Sequence, residues 1–196
     1  MRAWTGRITL ALTLAAAAAT PAMAEDAASG PTPALPAARA AVKNLADGLK
    51  AQLGAAIQSG GLVSAVTACH TIAPAVTDEA SSTSALTVRR TALKVRNPAN
   101  APDAFERRVL ERFQREMRAG SDPASLEHAE TVTEGGRAVF RYMKAIPTAA
   151  TPCLGCHGSN VQPEVKAEIL RLYPNDEATG FSAGDLRGAF SVYKPL

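Results

Sequence analysis

The chain has 196 residues, 20% of them charged, and a formal net charge of +3, a length that suits one domain with its own core. So small a net charge names no partner. Residues 89–118 hold nine Lys or Arg against four Asp or Glu, but bases interleaved with acids on a helix make a solvated face, and nucleic acid is not an expected partner.

The start reads MRAWTGRITLALTLAAAAATPAMA. Arg2 and Arg7 precede an apolar run from Ile8 to Ala19 that is too short to span a bilayer, and Ala22-Met23-Ala24 is a small-x-small cleavage site. The expectation is a signal peptide over 1–24, cleaved before Glu25, and a periplasmic product with no membrane span left after cleavage. Residues 25–36, EDAASGPTPALP, read as a disordered leader, which places the folded domain at 37–196.

Val42, Leu45, Leu49, Leu53 and Ile57 recur at helical spacing and stop at Gly60-Gly61. A second helix is expected from Leu62 to Ala73, ended near Pro74, with Leu62, Val66 and Cys69 on its buried stripe and His70 turned about 100° away. Residues 85–95 alternate as a strand, and RNPANAPD follows as a loop. Phe105, Val109, Leu110, Phe113 and Met117 mark a helix closed by Gly120. Residues 127–146 form a hairpin around Gly135-Gly136, with Phe140 and Tyr142 on one face. Pro163 begins a helix, and Leu186 to Tyr193 closes the chain as a strand. Helices first and an antiparallel sheet after, with helical insertions, define an α+β domain.

Cys153-Leu154-Gly155-Cys156-His157 is the C-x-x-C-H pattern of covalent c-type haem attachment. Two thiols three positions apart can add to the two vinyl groups of one porphyrin, and the next residue sets an imidazole under the iron. Gly155 and Gly158 are expected to give the loop backbone freedom. A redox-active pair would need a thioredoxin-like βαβ context, absent here. A zinc site would need Cys69, His70 or His128 to complete it, and a plain disulfide is the third alternative.

The remaining thiol, Cys69, is either an inert core residue or a ligand. Two thioethers would leave it no disulfide partner, and iron needs a sixth ligand. Met117 and Met143 fall on apolar faces and His128 on a polar strand. His70 stays a rival by adjacency.

Beyond these residues, CHTIAP, RRTALKVRNPANAPDAFE, YMKAIPT before CLGCHG, and LYPNDEATGFSAGDLRGAFSV resemble the periplasmic c-type haem domains with a PAS-like fold, the family of a cyanobacterial Tll-type haem protein. The resemblance implies a PAS-like antiparallel sheet with N-terminal helices, and one haem c held by Cys153 and Cys156. It implies His157 and Cys69 as the iron's two axial ligands. Where related sequences commonly have Gly-Arg-Thr and Trp-Glu, this chain has Arg89-Arg90-Thr91 and Phe105-Glu106. Arg90, Lys94 and Arg96 are the candidate partners of the haem propionates, with a solvated basic strand as the alternative. The function so implied is that of a redox or small-molecule sensor acting by binding, with a redox or signalling partner protein; release of Cys69 on reduction would open the iron to CO or NO. An electron-carrying cytochrome is the alternative. A peroxidase-like enzyme is not expected, because two protein ligands leave no open position on iron.

Overall fold

The computed structural model describes Met1 and residues 33–196. The expected cleavage site and the leader up to residue 32 lie outside those residues. Helix α1 runs Ala34–Thr71, so the last three residues of the expected leader are already helical. It breaks where the glycine pair predicts, at Gly60 (φ −161°, ψ 24°) and Gly61 (φ 69°, ψ −160°). Before the break, Ala38, Ala41, Val42 and Leu45 are buried against Val88, Phe140, Tyr142 and Val192 of the sheet. Farther along the same stripe, Leu49, Leu53 and Ile57 face a cavity instead.

The helix expected from Leu62 to Ala73 ends at Thr71, and Pro74, expected beyond its end, opens the next helix. It sits in the first turn of α2, Ala73–Ser84, where proline loses no hydrogen bond because that N–H has no helical partner. The sequence TDEASSTS is a weak helix former, and its hydroxyls bond back to carbonyls four residues earlier, as Thr77 to Ala73 (2.8 Å) and Ser84 to Ala80 (2.6 Å).

Four strands form one antiparallel sheet in the order β1-β4-β3-β2: β1 Thr87–Thr91, β2 Glu127–Glu134, β3 Arg137–Pro147 and β4 Leu186–Pro195. The hairpin turns at Gly135 and Gly136, both at positive φ, as expected. The strand expected over 85–95 is shorter. From Ala92 the chain leaves the sheet and pairs with a later loop, the Glu177 N–H donating to the Val95 carbonyl at 2.9 Å.

Helix α3, Ala104–Arg118, starts on a capping box of Asp103 and Glu106 and covers the second face of the sheet. Phe105, Val109, Leu110 and Phe113 pack there on Met143, Ala145, Leu186 and Ala189. A single turn α4, Leu154–His157, and helix α5, Pro163–Leu172, complete an α+β domain of helix, sheet and helix layers. Val165 and Ile169 of α5 hold the second half of α1 through Val66.

Candidate functional site

A cavity of about 830 Å³ opens between α1, the first face of the sheet and the loop ending in α4. That is within the usual range of roughly 300–1,000 Å³ for ligand sites. Val42, Leu53, Ile57, Val66, Ile146 and Phe190 are among its apolar lining, and Cys69, Cys153, Cys156 and His157 all face it. The structure thus brings together the C-x-x-C-H motif and a thiol from a helix some eighty residues earlier.

Close packing shapes the motif. A Cβ on Gly155 would stand 2.6 Å from Leu62 of α1, and one on Gly158 2.6 Å from the Leu154 carbonyl oxygen. Neither glycine has positive φ. At Gly158 close approach to a backbone oxygen, not the expected backbone freedom, demands glycine, whereas at Gly155 the neighbour is the end of the Leu62 side chain, which can yield.

His157 Nδ1 lies 2.7 Å from the Ala178 carbonyl oxygen. A carbonyl only accepts, so Nδ1 carries the proton and Nε2 keeps a free lone pair. Burial, helped by the charges of Arg187 and Arg96, pushes the imidazole pKa down to about 3, so the ring is a neutral donor at any ordinary pH. The loop that holds it belongs to the motif LYPNDEATGF: Phe181 N–H donates to the His157 carbonyl (3.0 Å) and Gly180 N–H to that of Gly158 (3.1 Å).

Cys69 is exposed, not buried as its helical stripe suggests. It lines the cavity, so its exposure is to that enclosed space. Burial accordingly raises the thiol pKa, against the opposing pull of Arg90, Arg96 and Arg187. Burial likewise raises that of Cys156.

His70 points elsewhere, edge-on to Tyr173 at 5.2 Å. His128 lies on the α3 side, stacked on Phe105 and bonded to Glu130. Met143 is fully buried in the core and Met117 packs beside it. Among the described residues no three His, Cys, Asp or Glu side chains are grouped to hold a metal ion by themselves.

The expected basic residues divide. Arg90 faces the cavity. Arg96 also lines it, but its guanidinium is taken: it pairs with Asp176 (2.9 Å) and donates to the carbonyls of Cys156 (2.6 Å) and Ala178 (3.3 Å). Arg96 is thus a clamp between the motif and the loop that supports it. Lys94 is absent from the cavity lining; its ammonium donates to the Thr179 carbonyl and sits 4.9 Å over Phe181.

Arg187 was not expected and is there. Ile146 pairs with Gly188 and Pro147 with Leu186, leaving Arg187 unopposed. This bulge turns to the cavity a side chain that strict alternation would send with Ala189 to the α3 face. Burial, with repulsion from Arg96 and Arg90, lowers its pKa to about 10.

Fold and site together define a class: an α+β domain with a cofactor-sized cavity, entered by two thiols and an oriented imidazole from one turn and a third thiol from a helix. The chain belongs to the Tll0287-like family, whose model matches residues 14–195. Among solved structures it is similar to the crystal structure of the cyanobacterial heme-protein Tll0287, with 28% identity and a TM-score of 0.58, over 81% of this chain and 94% of that one. No curated protein matches it.

Proposed function

We propose that this chain is a periplasmic c-type haem protein that works by binding, as a redox or small-molecule sensor, rather than as an enzyme. Cys153 and Cys156 would hold the haem by thioether bonds, and His157 and Cys69 would supply ligands to its iron. The observation that carries this reading is the convergence of these four side chains on one apolar cavity. Bound there, haem supplies a reversible one-electron couple and, where a protein ligand withdraws, a position for CO or NO.

The residues divide the work. Ala178 fixes the His157 tautomer, so Nε2 is presented unprotonated. Arg96 and Asp176 lock the motif turn to the supporting loop. Cys69 stands between two influences: burial favours the protonated thiol, while three guanidiniums favour the thiolate. A loss of positive charge in the cavity therefore tips it toward taking a proton, which is the behaviour of a ligand able to leave.

The purified protein, made in a host with haem-attachment machinery, keeps its haem through acid-acetone extraction and denaturing electrophoresis. Colourless protein from such a host rejects the proposal. The reduced protein then binds CO; refusal of CO replaces the sensor reading by that of an electron carrier.

A further inference from the structure

Three guanidiniums, Arg90, Arg96 and Arg187, line the cavity, and the charges of all three act on Cys69 and on His157. One carboxylate, Asp176, answers them, and it is bonded to Arg96 at 2.9 and 3.2 Å. Asp176 is not on the lining, and the two acids that are, Asp47 and Glu127, pair with Lys43 and Arg39.

Arg90 is held on the cavity face by its register opposite Phe190, and the ionisable groups that act on it are Cys69 and Tyr173, with no carboxylate among them. Arg187 reaches the Lys94 carbonyl at 3.3 Å and Phe181 at 5.5 Å. Its Nε is 3.5 Å from His157 Nε2, beyond a normal hydrogen bond. Gathering like charges away from bulk water is costly unless an anion joins them. The bulge that turns Arg187 inward makes the gathering a built feature.

We infer that Arg90 and Arg187 form a carboxylate-binding site in the cavity. The inference rests on the haem reading above, because the carboxylates at hand are the porphyrin's two propionates. Two guanidiniums without a carboxylate partner match them in number and charge, and a guanidinium offers a carboxylate planar, bidentate bonding. The propionate role expected of Lys94 and Arg96 thus passes to Arg187, with Arg90 retained. A free small carboxylate has the same chemistry and is the other source.

The test uses the haem-loaded protein with Arg187→Leu, Arg90→Leu and the conservative Arg187→Lys, with Lys50→Gln as a control elsewhere on the lining. An alkaline pyridine spectrum first verifies haem in each; its absence from the wild type sinks the haem reading, a result distinct from those that follow. With propionates as occupants, the leucine variants shift the propionate bending bands in resonance Raman and lower the midpoint potential. Arg187→Lys then restores at least half of the potential shift, and added acetate leaves the wild-type spectrum alone. With a free carboxylate as occupant, acetate shifts the wild-type Soret band but not that of Arg187→Leu, and the propionate bands stay put. Bands, potential and acetate response all unchanged in both leucine variants, or changed as much by Lys50→Gln, overturn the site.

Discussion

Cys69 and His70 are neighbours in sequence and lie on different sides of one helix. Cys69 lines the cavity, while His70 rests against Tyr173. Cys69→Ser should therefore abolish the thiolate signature in the ferric low-spin resonance spectrum and raise the midpoint potential, since an anionic sulfur favours ferric iron. His70→Ala should leave both as they are. Loss of the sixth ligand in His70→Ala would reverse the assignment. The motif could be read from the sequence because its chemistry is local, a matter of spacing; the place of Cys69 came from the family resemblance, and its helical phase, which predicted burial, did not foresee that it is exposed. The basic residues could be read only in part: Arg90 faces the cavity as expected. Arg96 and Lys94 look free in RRTALKVR, and the partners that occupy them, Asp176 and Thr179, come from a loop eighty residues later. Arg187 was hidden by the bulge, which defeats the period-two rule at that one place.

At the scale of elements, α1 does two jobs divided by its kink. Its first half is a core helix on the sheet. Its second half carries Cys69 and is tied to α5 by Val66 packing and by Thr67 donating to Glu168 at 2.8 Å. Gly61 makes the division, with φ 69° and ψ −160°, a conformation essentially closed to other residues. A Cβ there would meet nothing within 4 Å, so the objection to a side chain is backbone strain alone. Gly61→Ala should cost about 1–3 kcal/mol and disturb the Cys69 ligation. Gly54→Ala, in the helical run and equally free of neighbours, should stabilise by about 0.5–1 kcal/mol. Denaturant titrations of the two variants check the pair, and the same sign in both would mean that the kink is not held by Gly61. The break was legible because two adjacent glycines interrupt a regular apolar stripe. Helix α2 was not, because Pro74 reads equally as a stop and as a first-turn residue, and the alanines and hydroxyls after it carry little apolar periodicity.

In the whole molecule the sheet is the common wall, and charged side chains fasten a helix to each face. On the α3 side, Arg141 is buried between Asp103 (2.6 Å) and Glu134 (2.7 Å) with Phe105 beside it. On the cavity side, Arg39 of α1 pairs with Glu127 of β2, which also accepts from the Tyr142 hydroxyl of β3 at 2.8 Å. The hydrogen bond from Arg39, reinforced by that from Tyr142 and opposed by burial, holds the Glu127 carboxyl below its ordinary value. A carboxyl whose folded pKa is depressed lends stability that is fully present above its unfolded value, about 4.3. That stability is lost as the pH falls through the folded value. For Asp103, burial pushes the pKa up, but the Glu106 N–H and Arg141 outweigh it and the net shift is again downward. Acid should therefore loosen both helix layers in the same window, below about pH 4.5. Melting of the haem-loaded protein followed from pH 6 to pH 3 should show a falling midpoint. Glu127→Gln should melt lower at pH 6, because the ion pair with Arg39 is gone, and fall less steeply below pH 4.5, because one carboxylate no longer titrates. The slope should not vanish, since Asp103 remains. Parallel acid limbs for Glu127→Gln and the wild type would show that the Arg39–Glu127–Tyr142 tie does not fasten α1 to the sheet.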